Sequence, residues 1–359
     1  MMRTSISAAL LSSVSFIGLA AAQQAEQVPP IEVNASQQQG VAVPDPQPAP
    51  VTSITPEGLS LMGGPAQTSS YQAADAVPSV LVESPDPYGL SPTRNISIRG
   101  KSDFHLSKNI EGLPIYGIVG GADLIDLENV QRLDVYRSSI PADKSLSISH
   151  ATGLIDQRIL GPQDKAGVFG RQAFGSDSFY KTFLRVDTGL NKDTGTKAFF
   201  SVSAAGADKW TGDGSQERRN FTFGVNQKVG DRLTIDVNGV YDQYQGNLWR
   251  ALTYAQSLDL KTYGRYAYNT VLTGNPATDA SYYGFNKGIY NNYATFAKVD
   301  YEVADGHHIV FRPYYWNDNG VQYSTSGTSV QKWNQNNDNL GGVLKYEGHF
   351  GKTTDVVTG

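Results

Sequence analysis

The chain of 359 residues contains no cysteine, and it has only three methionines and five histidines. Without cysteine there are no disulfides, no thiolate metal sites, no cysteine nucleophile and no cysteine to carry a lipid anchor. The net charge of −5 argues against a nucleic-acid-binding surface, which would be basic. Gly (37) and Tyr (20) are abundant, and this composition favours strands and turns over helices.

Long apolar runs are also missing after the N-terminus, where no stretch reaches the roughly 18 residues of a membrane helix. A mature protein in a membrane would therefore have to be a barrel, because only helices and closed barrels satisfy the backbone in lipid. Residues 1–22 resemble a secretory signal, with Arg3, a short apolar core and alanines at 20–22. Cleavage is expected before Gln23. The alternative is an ordinary buried N-terminal helix.

Residues 23–68 predict a flexible segment that carries one strand-like motif. Prolines at 44, 46, 48 and 50 follow a glutamine-rich run, a composition that buries little and tends to polyproline II. The motif reads "IEVNAS" and contains Ile31, Glu32, Val33, Asn34 and Ala35. An isolated strand needs a partner for its backbone, so the motif predicts a binding segment. A disordered tail with chance alternation is the alternative.

Residues 69–162 predict a compact mixed α/β domain. Short β-like runs occur at 79–83, 95–100, 113–119 and 130–137, and turn signals separate them. The run "ADLIDLENV" (122–130) predicts one or two helical turns.

Residues 163–359 predict antiparallel strands, about eight in number, with apolar and polar residues in alternation. In "RLTIDVNGVYDQY" (232–244), for example, Ile235 and Val237 share one face while Asp236 and Asn238 share the other. The second face is charged in strand after strand. A soluble sandwich would turn that face to water, whereas a membrane barrel would turn it to a wet or plugged lumen.

The connections between these strands favour the barrel. Short turns are predicted at 230–231 and 304–306, and long connections at 207–219, 246–291 and 317–339. Strict alternation of short and long connections is typical of outer-membrane barrels, which have short periplasmic turns and longer extracellular loops.

The ordered set of motifs resembles a TonB-dependent outer-membrane receptor over nearly the whole chain. "IEVNAS" is similar to that family's TonB box. "NISIRG" is similar to its plug motif and gives Arg99 and Gly100, and "EGLPI" gives Gly112 and Pro114. "ENVQRLDVYR" (128–137) is similar to the strand before the family's glycine-proline motif.

One segment departs from that family pattern. Residues 138–160 read "SSIPADKSLSISHATGLIDQRIL" where the family usually has Gly-Pro and Leu-Tyr-Gly. Only "ATGLID" (151–156) is similar to the usual end of the plug. The departure concerns the detail of this part of the plug and the type of ligand. The order of the motifs is unaffected.

The resemblance implies a mixed α/β plug followed by barrel strands, in the outer membrane, with the plug and N-terminus facing the periplasm. A plugged lumen needs about 22 strands, and a barrel of about eight holds only its own side chains. We therefore expect the sequence to be the N-terminal part of a longer receptor.

The implied function is TonB-driven uptake of a scarce small ligand, most commonly a ferric siderophore or another metal chelate. The implied partners are TonB, the ligand and outer-membrane lipid. No cofactor and no enzymatic activity are implied. The alternatives are a passive porin, an adhesin-type binding protein, or a truncated remnant that does not transport.

Other possible sites have little support in the sequence. His307 and His308 are adjacent but lack a spaced partner for a metal. The glycine-rich run at 116–123 lacks the spacing of a phosphate-binding loop. Asp123 and Asp126 are predicted to be plug-surface or turn residues, and no catalytic set stands out.

The predicted loop at 246–291 is rich in aromatic residues. Aromatic rings stack on planar or sugar-like ligands, and they also form the girdles of membrane barrels. Both interpretations remain open. The weak ligand-binding candidates are Trp249, Tyr254, Tyr282 and Tyr283.

Overall fold

A computed structural model describes residues 42–44, 51–64, 66–92, 94–102, 105–114, 124–138, 140–141, 144, 152–350 and 354–358. The predicted secretory signal, the segment "IEVNAS", the glycine-rich run with Asp123 and part of the atypical segment, including 145–151, lie outside these residues. Among the described residues, no helix combines the length and the apolar character needed to cross a membrane.

The first part of the described chain forms the plug. Its strands are β1 (Ala42–Pro44), β2 (Val51–Ile54), β3 (Val80–Glu83), β4 (Asn95–Ile98), β5 (Leu106–Ile110), β6 (Leu113–Pro114), β7 (Val130–Tyr136) and β8 (Gly153–Ile159). Six of them make one sheet in the order β1-β2-β7-β8-β5-β6, and β3 pairs with β4 in a separate hairpin. Only β5 and β8 are parallel, so the mixed α/β plug that the sequence predicts is confirmed.

The plug sheet begins earlier in the chain than the sequence predicts. Residues 51–63, inside the predicted linker, form β2 and the helix α1 (Pro56–Gly63). Thr55 caps this helix by accepting a hydrogen bond from the Gly58 backbone, and Pro56 is its first residue. Proline is well tolerated there because its missing N–H would have no partner within the helix. Pro56 therefore starts a helix inside the segment that the sequence predicts to be a linker.

The plug has an apolar core that continues into the strands after it. Ile54, Leu106, Leu133 and Ile155 are fully buried between the plug's elements. The same buried cluster includes Phe199, Val240, Phe296 and Trp316 from the later strands. The plug is therefore packed against those strands and not merely tethered to them.

Residues 166–358 form an open antiparallel sheet, which we call the wall. Its strands are β9 (Ala166–Phe174), β10 (Tyr180–Thr188), β11 (Thr196–Asp208), β12 (Ser215–Val229), β13 (Leu233–Asn247), β14 (Lys287–Ala304), β15 (His307–Ser326), β16 (Ser329–Phe350) and β17 (Thr354–Thr358). Each strand pairs with its neighbour in sequence. The wall has nine strands where the sequence predicts about eight, and it does not close in the described part.

The connections of the wall differ in part from the prediction. The segment between β13 and β14 is long, as predicted, and contains the short helices α2 (Tyr254–Ser257), α3 (Leu260–Tyr263) and α4 (Pro276–Asp279). The predicted long loop at 317–339 is wrong, because β15 and β16 pair continuously to Ser326↔Ser329. A turn at Gly327, with φ of +59°, joins them.

Candidate functional site

The candidate site is the contact between the plug and the wall. In β10, burial alternates strictly along the strand. Lys181, Arg185 and Asp187 are buried on the side that meets the plug, whereas Leu184 and Val186 are exposed on the other side. The charged face predicted from the sequence is thus the inner face, and the apolar face is the outer one.

A short plug segment, residues 126–129, carries the polar side chains that meet this inner face. Residues Leu127–Asn129 form one 3-10 turn immediately before β7. Asp126 accepts hydrogen bonds from Arg218 Nη1 at 3.0 Å and from Ser203 Oγ at 2.6 Å. Arg218 Nε also donates to Asp242 of the wall at 2.7 Å. Arg218 therefore lies between one plug carboxylate and one wall carboxylate.

Glu128 forms the second ionic contact of this segment. Lys181 Nζ lies 2.8 Å from each carboxylate oxygen of Glu128. It also donates to the Gln67 carbonyl of the plug at 2.9 Å. Arg171 Nη1 lies 3.3 Å from Glu128 Oε1. The Lys181 and Glu128 side chains are 0% and 1% exposed, so this pair is shielded from solvent.

Asn129 completes the segment with two side-chain hydrogen bonds. Its Nδ2 donates to Ser201 Oγ at 2.8 Å, and its Oδ1 accepts from Arg185 Nη1 at 3.2 Å. Arg185 also donates to the Leu160 carbonyl and is paired with Asp187 at 2.9 Å. Ionic contacts and side-chain hydrogen bonds thus fix the segment against four wall strands, β9 to β12.

The predicted motif residues Gly112 and Pro114 lie in a turn that meets the wall farther along. Gly112 has φ of +74° and donates its N–H to Asp156 Oδ1 at 2.8 Å. Arg312 of β15 donates to the Glu111 carbonyl. A Cβ at Gly112 would lie 3.2 Å from Arg312 Nη1. Pro114 of β6 pairs with Asn109 of β5. The turn between these strands brings the Glu111 carbonyl close to Arg312 of the wall.

Arg99 and Gly100 occupy a second left-handed turn, with φ of +54° and +74°. The Arg99 N–H donates to the Ser79 carbonyl at 2.8 Å, and its side chain is exposed. The motif therefore closes the turn after β4, and the structure does not bring it together with the 126–129 segment.

A cavity of about 580 Å³ lies between the plug and the wall beside the Glu111 turn. Its charged lining comprises Glu111, Arg132, Arg158, Asp236, Lys298 and Arg312. Burial opposes the charge on Arg158, but Asp156, Glu111 and Asp134 raise its pKa above the usual value. Lys298 is paired with Asp300 at 2.9 Å. The cavity has charged groups in its lining, and most of these charges are already paired.

The four aromatic ligand candidates differ in their ring partners and exposure. Trp249 packs near Trp210, with ring centroids 6.1 Å apart. Tyr282 and Tyr283 form an edge-to-face pair at 4.8 Å. Tyr254 is 80% exposed on α2. The long loop also contains a second edge-to-face pair, Tyr263 and Tyr266, at 6.0 Å.

Lys209, which the sequence does not single out, lies beneath this loop. Its Nζ donates to the Leu248 carbonyl at 2.8 Å and is 5.0 Å from the centre of the Trp249 ring. Burial lowers the pKa of Lys209 to about 8, and nearby Asp213 opposes the shift. The residue connects the end of β11 to the long loop.

The adjacent histidines have separate partners. His307 Nδ1 is 2.6 Å from the Tyr346 hydroxyl, and His308 Nδ1 is 2.8 Å from Asp300 Oδ1. Within the described ranges, no group of three His, Asp or Glu side chains is arranged to hold a metal ion.

Comparison with solved structures shows the fold. The ferric citrate transporter FecA matches with a TM-score of 0.65 and 15% identity, over 88% of this chain and 48% of its own. The siderophore receptor PiuA from Acinetobacter baumannii matches with a TM-score of 0.63 and 15% identity, over 85% of this chain and 43% of its own. The ferric-catecholate import receptor Fiu from E. coli K12 matches with a TM-score of 0.61 and 16% identity, over 85% of this chain and 47% of its own.

The predicted resemblance is confirmed at the level of fold, which is that of TonB-dependent receptors. This chain spans a little under half the length of the three solved structures. No protein-family model matches the sequence. No curated protein matches it either.

Proposed function

We propose that this protein, whose fold is that of the TonB-dependent receptors, takes up a metal chelate across the outer membrane. One observation carries the proposal: the charged face of the wall is buried against a plug, and the apolar face is exposed. A soluble sandwich would have the opposite arrangement. Burying Lys181, Arg185 and Arg218 is tolerable because each has a charged or hydrogen-bonding partner.

The exposed outer face is suited to lipid. Leu184, Val186, Phe200 and Val202 each leave at least 40% of their surface exposed on neighbouring strands β10 and β11. Apolar side chains on the outside and polar ones toward a plugged lumen are the arrangement of outer-membrane barrels. Localisation in the outer membrane follows from this arrangement.

The wall connections support an orientation. One end has turns of few residues, including Gly306 between β14 and β15. The other end carries the long segment between β13 and β14. Short turns face the periplasm in such barrels and long loops face outward. We therefore assign the aromatic loop with Trp249, Tyr282 and Tyr283 to the cell exterior, where it meets ligand first.

The segment Ile31–Ala35 is proposed to be the contact for TonB. An extended peptide of this kind adds to a sheet edge through backbone hydrogen bonds, while alternate side chains give specificity. Ordering a short flexible segment costs entropy, so the contact should be weak and reversible. Such a contact suits a cycle of plug displacement and return.

The ligand class is proposed from the similar proteins, whose names refer to ferric catecholate and ferric citrate. Both are anionic complexes of iron(III). A chelate of this class is the ligand that we would supply first.

The decisive experiment measures uptake of radioactive iron by iron-limited cells that make the complete protein. Iron is supplied as ferric citrate or as its complex with 2,3-dihydroxybenzoate. Replacing Ile31–Ala35 with five glycines and serines should abolish uptake and preserve surface binding. The control replaces five residues at 36–40 in the same way. Unchanged uptake in the first variant would refute the proposal, and so would uptake that survives collapse of the proton gradient.

A further inference from the structure

The wall cations that contact the plug fall into two kinds. Arg185 and Arg218 each have a carboxylate of the wall as a partner, Asp187 at 2.9 Å and Asp242 at 2.7 Å. These two arginines keep an ionic partner whether or not the plug is in place. Asp187 and Asp242 already balance the charges of the two arginines within the wall, and the contacts with the plug add to these pairs.

Lys181 and Arg171 are different, because they converge on a carboxylate of the plug. Both oxygens of Glu128 are within 2.8 Å of Lys181 Nζ, and Oε1 is 3.3 Å from Arg171 Nη1. Among the described residues, neither cation is paired with a carboxylate of the wall. Two positive charges on the inner face therefore share a single carboxylate of the plug.

Space adjoins one of these two cations, Arg171, and its partner Glu128. A cavity of about 300 Å³ lies between α1 and strands β9 and β10, and both Glu128 and Arg171 line it. Leu59, Leu127 and Phe169 contribute apolar surface to the same cavity. This volume is at the lower end of the range for small-molecule sites. Arg171 and Arg185 supply positive charge to the cavity, and Glu128 and Asp187 supply negative charge.

We propose that Lys181 and Arg171 form an anion-binding site on the wall, which Glu128 occupies while the plug is in place and an anionic chelate occupies when the plug withdraws. The proposal rests on the proposed function only for the second occupant. Glu128 shows the chemistry of the ligand, since a carboxylate already fills the site. The site would favour anionic over neutral chelates during passage.

The site is tested by chemical rescue, with a cysteine as reporter. The chain has no cysteine, so Ser201→Cys provides a single thiol at a position that is 2% exposed beneath Asn129. Its rate of reaction with a charged maleimide reports how often the plug leaves the wall. The measurements use the complete protein in outer-membrane vesicles.

Glu128→Ala should raise the labelling rate on the order of tenfold or more, because it leaves Lys181 buried without its counter-charge. Acetate replaces the missing CH₂–COO⁻ group and should return the rate to near that of the parent. Acetamide, which is neutral and of similar shape, should have no effect. A rate that acetate does not lower would overturn the anion site.

Two further variants keep the test valid if Glu128→Ala assembles poorly. Glu128→Gln retains the volume, so it should raise labelling without rescue by acetate. Asp126→Asn should change labelling little, because Arg218 keeps Asp242. Equal effects of these two variants would contradict the distinction between the two kinds of cation.

Uptake tests the second occupant separately. Lys181→Met with Arg171→Met should slow uptake of ferric citrate severalfold without weakening its binding at the cell surface. Normal uptake in this variant would refute the transit role. Absence of uptake by the parent protein would refute the proposed function, while the acetate result would still decide whether the anion site exists.

Discussion

The outer and inner faces of the wall have opposite chemistry along the same strands. On β12, Arg218 is buried between two carboxylates while its neighbour Arg219 is exposed on the other face. On β10, Leu184 is exposed while Arg185 is buried. The contrast teaches that the plug, and not a second apolar sheet, specifies what the inner face must be. The two faces should therefore respond differently to the same kind of substitution.

The largest effect is expected on the inner face. Arg218→Met would leave Asp126 and Asp242 buried without their shared cation, and we expect a loss of about 3–5 kcal/mol in the free energy of unfolding. The measurement is the urea midpoint in detergent. Arg219→Met on the same strand is the matched control and should change the midpoint little. Equal losses would mean that the faces are not distinct.

A charge on the outer face should have the next largest effect. Leu184→Arg places a cation where we expect lipid, at a cost of about 2–4 kcal/mol near the middle of the membrane. The yield of assembled protein in the outer membrane should fall, whereas Leu184→Phe should assemble normally. In a water-exposed sandwich the arginine would be harmless, so normal assembly would contradict the membrane assignment.

A smaller effect is expected where plug backbone meets the wall. Gly112→Ala introduces a side chain at φ of +74° and 3.2 Å from Arg312 Nη1. We expect a loss of about 1–2 kcal/mol, mostly from the left-handed conformation, again read from the urea midpoint. Gly161→Ala is the control, because a Cβ there meets nothing within 4 Å. A larger loss at Gly161 would count against the role given to the Gly112 turn.

The smallest effect is expected at Lys209, at the end of β11, where the long loop packs against the strand ends. Lys209 has a pKa of about 8 in the fold against an ordinary value of 10.5. Opening of the loop exposes the amine and favours its protonated form, so closure gains stability as the pH rises through this window.

Chymotrypsin cleavage of the exposed loop near Tyr254 measures this opening. The rate for the parent, divided by that for Lys209→Met, should fall severalfold between pH 7.5 and 9.5. The methionine variant corrects for the pH dependence of the protease, because it keeps the length of the side chain without the amine. A ratio that is constant or rises with pH would show that burial of the charge does not control the loop.

The alternation of apolar and polar residues was sufficient to predict the strands and their faces. Ile235 and Val237 fall on one face, and Asp236 and Asn238 line the cavity on the other. A strand with period-2 alternation has only two ways to face, and a shift of one residue exchanges them. Pattern therefore determines register where one face is buried.

The alternation of apolar and polar residues does not predict strands that lack a buried apolar face. Residues 317–339 are rich in asparagine, glutamine and serine, so the sequence predicts a loop, but β15 and β16 pair through them. Hydrogen bonds to a neighbouring strand, which composition does not reveal, hold this hairpin. The same limitation applies to β2, whose partner β7 lies about 80 residues away in the chain.

The side-chain contacts of the candidate site could not be predicted from the sequence either. Asp126 is predicted to be a plug-surface or turn residue, but its partner Arg218 is 92 residues away. Glu128 lies in the run that predicts one or two helical turns and in a segment that resembles the receptor family, and neither pattern predicts its contact with Lys181. Spacing along a chain predicts contacts within a strand or turn, whereas these pairs depend on how two domains pack.

The hairpin of β1 and β2 at one edge of the plug sheet has a mechanical consequence. Ala42 pairs with Ile54, and Pro44 pairs with Thr52. A pull on the chain before Ala42, resisted by the body of the plug beyond Ile54, loads the Ala42–Ile54 pair first and the others in turn. The residue pairs of the hairpin would therefore separate one after another under a modest force. β2 would be pulled only after β1 has separated from it.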